Sequence, residues 1–335
     1  MAQRLGKYTL RLENRPRVQG FASIVGKKEG DGPLERYFDA VHDDTTLGQD
    51  SWEKAESRLQ QEAAEEAIKK AGVTEQDIQY ILAGDLLNQC ISSTFGLQSL
   101  NIPFWGQYGA CSTMAQTLSL ASVLVDAGAA ERCLAVTSSH FCSAERQFRF
   151  PLEYGGQRTP TAQWTATASG AVVVGQSGDG PWVSAVTAGR IRDLGIKDAA
   201  NMGAAMAPAA AQTLFDFLTD TQTKPADYDL ILTGDLGLIG SSLMEEILRR
   251  DGIEIAPVHN DCGLMLYDRE KQDVHAGGSG CGCSGAVLCS VVLQRMCRKK
   301  LRNVLFIGTG ALMSTTSSQQ GESIPGIAHL VYLQA

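Results

Sequence analysis

The feature that most constrains this chain is a repeat of itself. The segment Asp77–Leu87 reads DIQYILAGDLL and Asp227–Gly237 reads DYDLILTGDLG, in register with no gap at an offset of 150 residues. Each holds a short apolar run, Tyr80–Ala83 and Leu230–Thr233, that stops at Gly-Asp. A run of that length bounded by turn residues predicts a strand buried on both faces. Repetition over half the chain predicts one supersecondary plan used twice.

A second correspondence follows each strand. Gly109–Met114 (GACSTM) leads into an apolar stretch, Ala115–Ala127, then Gly128 and a strand at Cys133–Ser139. Gly280–Ala286 (GCGCSGA) leads into Val287–Met296, a basic cluster of Arg298, Lys299 and Lys300, and a strand at Asn303–Gly310. In each half a turn of Gly, Cys and Ser opens a helix that returns to a strand. The first of these helices is apolar or small on nearly every face, which marks it as buried rather than amphipathic. Strand–helix alternation, duplicated and with a helix of each half needing burial all round, predicts an α/β/α/β/α layered fold with pseudo-twofold symmetry. The halves are expected at 1–178 and 179–335, within one structural unit. The second half carries 22 more residues between its Gly-Asp and its Cys turn. They are expected as a surface insertion with a hairpin through Leu264–Tyr267 and Gln272–Ala276.

A formal net charge of −8 disfavours a general nucleic-acid role, since phosphate binding needs a basic surface. Nine cysteines, several of them inside apolar segments, suit a reducing compartment. No signal peptide is expected from the basic, polar N-terminal residues, and no stretch is long and apolar enough to span a membrane. The Ala-rich stretch from Ala199 is short and interrupted by Pro208.

Cys111 is the foremost candidate for chemistry. At a helix N-terminus its thiolate would be stabilised by exposed N–H groups, lowering its pKa and suiting it to acyl transfer. The alternative is a small core cysteine at a tight turn. A nucleophile needs a base, and His140, at the end of the strand after the first buried helix, and His259, in the insertion, are the candidates. Asp85, Asn88, Ser139 and Cys281 lie at corresponding strand ends and turns. Arg146 and Arg149 flank Phe148, with Phe150 and Tyr154 beyond, so this loop is a candidate pocket wall able to grip a carboxylate and stack on a flat ring. GCGCSG matches GxGxxG, but no acidic residue follows about twenty positions on, so a dinucleotide site is disfavoured. A zinc site of His259, Cys262, Cys281 and Cys283 is disfavoured by its C-x-C spacing.

With these residues in view, the chain resembles the thiolase and β-ketoacyl synthase superfamily. More closely it resembles the stage V sporulation protein AD family of spore-forming bacteria. The matching stretches are KEGDGPL (Lys28–Leu34), LAGDLLNQ (Leu82–Gln89), GACST, TSSHFCSAERQFRFPLEYGGQ (Thr137–Gln157), DYDLILTGDL, HNDCGL and AGGSGCGCSGA, over Lys28 to Gly326. The resemblance implies a thiolase-like fold and a non-catalytic protein that binds dipicolinic acid for uptake into the developing spore. It implies a peripheral position on the cytoplasmic side of the spore inner membrane, with membrane-embedded sporulation proteins as partners and a homodimer as an option. No cofactor is implied beyond calcium entering with the ligand. The expected ligand-binding residues are Asp85, Asn88, Cys111, Ser139, His140, Arg146, His259 and Cys281. Where β-ketoacyl synthases of similar length carry a catalytic histidine, this chain has Gly234-Asp235, and the catalytic asparagine of the second turn falls near Cys281. The alternatives are an acyl-transferring condensing enzyme using Cys111 with His140 or His259, and a scaffold for membrane proteins.

Overall fold

The computed structural model describes residues 2–148 and 158–335. The first half supplies β1 (Arg17–Gly26), α1 (Trp52–Lys70), β2 (Tyr80–Gly84), α2 (Ile91–Leu97), β3 (Phe104–Gly106), α3 (Thr113–Asp126), β4 (Arg132–Ser139), α4 (Phe141–Phe148) and β5 (Ala168–Gly175). The second supplies β6 (Trp182–Thr187), α5 (Met202–Thr221), β7 (Leu230–Thr233), α6 (Gly237–Arg250), β8 (His259–Asp261), α7 (Cys281–Val287), β9 (Asn303–Ala311) and β10 (Gly326–Gln334).

The strands run β3-β2-β4-β5-β1 in one half and β8-β7-β9-β10-β6 in the other, joined through the pairing of Trp182 with Arg17. The pattern of directions is repeated too. β2 is parallel to β3 and β4, and β7 to β8 and β9, while β5 and β10 run antiparallel to their neighbours. This is the expected pseudo-twofold plan.

Side-chain alternation builds the layers. Leu82 of β2 and Ala135 of β4 face α3, as do Leu232 of β7 and Phe306 of β9 from the other half, forming one central core with Leu118, Val287 and Leu288. The residues between them, Ile81, Ala83, Leu134 and Val136, turn outward onto Leu59, Ala63 and Ala67 of α1. Ile231, Leu305 and Ile307 likewise face Met206, Leu214 and Phe217 of α5 and Met244 of α6. A strand covered on both faces has no polar alternation, which is why β2 and β7 read as unbroken apolar runs. The central layer is tight: a Cβ on Gly170 of β5 would meet the backbone of Gly285 of α7 at 2.3 Å.

Three details differ from expectation. The insertion is not a surface hairpin. Cys262–Leu266 is a short helix, and Cys262, Leu266, Tyr267, Val274 and Ala276 are buried. Its apolar residues cover α7, and a two-residue strand, Gly278–Ser279, pairs with Trp164–Thr165. Second, GCGCSGA is not a turn before the helix but its first two turns; the helix continues through a π segment, Leu288–Val292, to Cys297. Third, α5 runs through Pro208, with burial of its Ala-rich face outweighing the lost backbone bond.

Candidate functional site

β2 and β7 end at the same level, and the turns after them meet the turns that open α3 and α7. Cys111 lies in the turn before α3, after Ala110, whose φ of 49° is left-handed. Non-glycine residues pay a steric penalty there, so this turn is held by its surroundings. Cys111 is 6% exposed and sits at the inner end of a narrow cavity lined by Leu86, Tyr108, Ala144, Phe148, Met202 and Ser279, among others. The cavity has an empty volume of about 430 Å³, counted out to open solvent. Tyr108, Phe148 and Met313 also line a second, outer cavity of about 620 Å³ empty volume, with Asn88, Gln147, Thr315 and Thr316. The two cavities share Tyr108, Phe148 and Met313: the inner one is largely apolar and reaches Cys111, and the outer one carries the polar side chains, so together they are treated as one candidate cleft with Tyr108 and Phe148 at its waist and Asn88 and Gln147 at its mouth.

Behind Cys111 stands Asp235. Its Oδ2 accepts from Ser279 Oγ (2.9 Å) and Gly280 N–H (2.8 Å), and its Oδ1 from Thr309 Oγ1 (2.7 Å). Because the Ser279 proton goes to Asp235, the Cys111 thiol, 3.9 Å from Ser279 Oγ, is the donor in that contact. Burial raises the Cys111 pKa well above the ordinary thiol value, and the Asp235 charge adds to it. The thiolate expected from a helix N-terminus is therefore corrected to a neutral thiol: Cys111 precedes the first helical residue by two positions, and desolvation beside a carboxylate outweighs the dipole.

The other sequence candidates fall in different places. Cys281 packs with Leu86, Cys111 and Ala144, but its thiol donates to Ser138 O at 3.0 Å and burial holds it protonated. Asp85 is fully buried, accepting from Leu87 N–H, Ser93 N–H and Ser93 Oγ, so it fastens the turn after β2 instead of lining the cleft. Two residues of that turn, Gln89 and Cys90, are also left-handed. Asn88 lies at the polar mouth, hydrogen-bonded to Gln147. Ser139 donates to Ala166 O and His140 contacts Thr45 O at 2.8 Å; both are buried and neither lines the cleft. Burial also lowers the His140 pKa. His259 is held between Glu245 and Thr233 on edge strand β8, away from Cys111. Arg146 pairs with Glu53 and faces a neighbouring groove of about 1190 Å³ empty volume with Lys54, Gln89 and Phe95. Arg149, Phe150 and Tyr154 lie outside the described residues. Among the described residues no group of three or more His, Cys, Asp or Glu is arranged to hold a metal ion.

Sequence reasoning noted Asp235 without assigning it a role, and missed Ser279, Tyr108 and Met313. The 150-residue offset from Asp85 was the signal for Asp235. Nothing local marks Tyr108 or Met313, which reach the cleft from separate connections.

The family described as Stage V sporulation protein AD (SpoVAD) matches over residues 6–334. The chain belongs to that family. The match extends beyond the stretch from Lys28 to Gly326 on which the resemblance rested. Stage V sporulation protein AD of Bacillus subtilis (strain 168) is 46% identical over 329 residues, covering 98% of this chain and 97% of the relative. Solved structures with the same fold include 3-oxoacyl-[acyl-carrier-protein] synthase III from Aquifex aeolicus VF5, with a TM-score of 0.56 at 14% identity, covering 96% of this chain and 100% of that one. A variant of Xanthomonas campestris OleA with cerulenin gives a TM-score of 0.62 at 11% identity, covering 96% and 97%. At such identities the likeness establishes the thiolase-like fold of this SpoVAD chain and not its chemistry.

Proposed function

We propose that this SpoVAD-family protein binds dipicolinate in the cleft leading to Cys111, serves its uptake into the developing spore, and does not transfer acyl groups. The observation that carries the reading is the state of Cys111: a buried neutral thiol facing Ser279 and Asp235, with no described histidine lining the cleft. A condensing enzyme needs that sulfur as a thiolate with a base within reach, and loss of one partner costs orders of magnitude in rate. A binding protein needs neither.

The cleft suits a flat, rigid ligand with polar ends. Tyr108 and Phe148 at the waist offer faces for an aromatic ring, and the amides and hydroxyls of Asn88, Gln147, Thr315 and Thr316 offer partners for a carboxylate. Calcium entering with the ligand would offset its charge. No described helix is long and apolar enough to cross a membrane, so association with the spore inner membrane would run through membrane-embedded proteins of the same sporulation set. A second reading, acyl transfer from Cys111 through a Ser279–Asp235 relay, is favoured only by their contact, and the Asp235 charge itself raises the Cys111 pKa and so opposes formation of the thiolate.

Calorimetric titration of dipicolinate, with and without calcium, into wild type and Tyr108→Ala tests the proposal. Saturable binding is expected, weakened about tenfold by the substitution, the size of an aromatic stacking contribution. No saturable heat in wild type under either condition refutes it.

A further inference from the structure

The basic cluster after α7 has no part in the cleft. The helix that begins at Cys281 ends at Cys297, and Arg298, Lys299, Lys300 and Arg302 follow it before β9, all of them exposed. Among the described residues none of these four side chains enters an ion pair, a hydrogen bond or a ring contact. The turn that carries them is fixed. Lys299 N–H donates to Met296 O and Lys300 N–H to Arg295 O, both at 2.8 Å, and Lys299 is left-handed with a φ of 55°. This is a Schellman turn with lysine at the position that usually holds glycine, so the cation sits there at a steric cost.

The charge continues across the end of the sheet. Ala335 N–H donates to Arg302 O, and Asn303 pairs with Gln334, Gln334 with Trp182, and Trp182 with Arg17. Arg15 and Arg17 lie over the Trp182 ring, their guanidinium carbons 5.7 and 4.6 Å from its centre. Asn14 closes the end of α3, its N–H donating to Asp126 Oδ1 and its side-chain amide to Asp126 O. The two central helices thus end on one face, one beside Arg15 and Arg17, the other at Arg298–Lys300. The helix from Cys281 to Cys297 spans about 25 Å, so this face is far from Cys111, which packs with Cys281 at its start. None of these basic residues lines the cleft or the groove of Lys54 and Arg146. Asp229, the acid that touches the cluster, gives its Oδ2 to the N–H groups of Arg302 and Asn303 and leaves the cationic side chains unpaired.

Attraction to a helix C-terminus falls off beyond the last turn and does not account for Arg302 on its strand. In a chain of net charge −8, cations without carboxylate partners gathered on one face make a strong local asymmetry. We propose that this face docks on an anionic lipid surface. The cations are spread over two helix ends and four strand ends, not along the groove or projecting helix by which nucleic acids are held. A plane of lipid phosphates matches that spread, and half-buried Trp182 between the charges suits the headgroup layer. Docked this way, the cleft mouth faces away from the lipid. The inference adds a direct lipid contact to the proposed association through membrane-embedded proteins, and it does not rest on the ligand reading.

Vesicle flotation with no other protein present tests it. Wild type is mixed with vesicles of phosphatidylcholine alone, or of equal parts phosphatidylcholine and phosphatidylglycerol, at low salt and at about 1 M, where screening is nearly complete. Binding to the anionic vesicles only is expected, and high salt should abolish it. Each cation at an anionic lipid surface gives about a fivefold gain in affinity, so Arg298→Gln/Lys299→Gln/Lys300→Gln should bind about a hundredfold more weakly. Arg298→Lys/Lys299→Arg/Lys300→Arg, which keeps the charge, should bind like wild type. Lys197→Gln/Arg269→Gln/Lys271→Gln removes the same charge from exposed residues at the other end of the strands and should lose less than about fivefold. No flotation, equal flotation with both vesicle types, or an equal loss in the two glutamine variants overturns the proposal. Wild type retained on duplex DNA at a salt concentration where vesicles do not bind overturns it as well, and assigns the face to nucleic acid. Flotation without any dipicolinate binding refutes the ligand reading alone; dipicolinate binding without flotation overturns the lipid face alone.

Discussion

Replacing Asp235 gives the sharpest prediction about the site. The carboxylate collects three donors in a place closed to solvent: Ser279 Oγ, Gly280 N–H and Thr309 Oγ1. Asp235→Ala leaves all three without their acceptor. Ser279 and Thr309 can rotate their hydroxyls, but the Gly280 amide is fixed by the first turn of α7. One orphaned buried donor costs about 1–3 kcal/mol, and two partly recovered hydroxyls add to it, so a loss of about 3 kcal/mol is expected. Asp235→Asn behaves differently. Its carbonyl oxygen can take Ser279 and Gly280 while its amide donates to Thr309 Oγ1, and it removes a buried charge, so it should stay within about 1 kcal/mol of wild type. In urea, with m near 3 kcal/mol per M, the alanine variant should unfold about 1 M earlier than the asparagine variant. The pH dependence has a definite sign. Burial raises the Asp235 pKa above 3.8, so its contribution is present below that value and fades as pH rises. The advantage of Asp235→Asn over wild type should therefore grow from pH 4 toward neutrality. Equal midpoints for the two variants would refute the accounting of donors around Asp235.

The raised Cys111 pKa predicts slow alkylation at neutral pH, a rate still climbing above pH 9, and faster alkylation in Asp235→Asn, all readable by intact mass. Gly170→Ala should cost at least about 1–3 kcal/mol, because its Cβ meets the Gly285 backbone at 2.3 Å and neither β5 nor α7 can retreat from the central layer; thermal unfolding checks this. His259→Gln should change dipicolinate affinity by less than about twofold while lowering the melting temperature, since His259 serves Glu245 and Thr233 on an edge strand.

The fold was legible because the strands announce themselves twice. Tyr80–Ala83 and Leu230–Thr233 are apolar throughout since helices cover both faces, and the same offset that relates them relates Asp85 to Asp235. The insertion after β8 was misjudged because glycines and charged residues mask the spacing of Cys262, Leu266 and Tyr267, which go inward. The site was legible only in part. Cys111 could be picked from its turn, but the balance between a helix dipole and desolvation is set by what stands across the cleft, and Asp235 and Ser279 arrive there from the other half of the chain. His140 and His259 looked available because sequence does not reveal that Thr45 O, Glu245 and Thr233 already occupy them.

A crystal structure of the protein grown with dipicolinate is the most direct test of a binding cleft built on a thiolase-like fold. The account predicts the pyridine ring at the waist formed by Tyr108 and Phe148, a carboxylate toward Asn88 and Gln147, and an unmodified Cys111. Dipicolinate seated instead in the groove of Lys54 and Arg146, or an acyl group carried on Cys111, would contradict it.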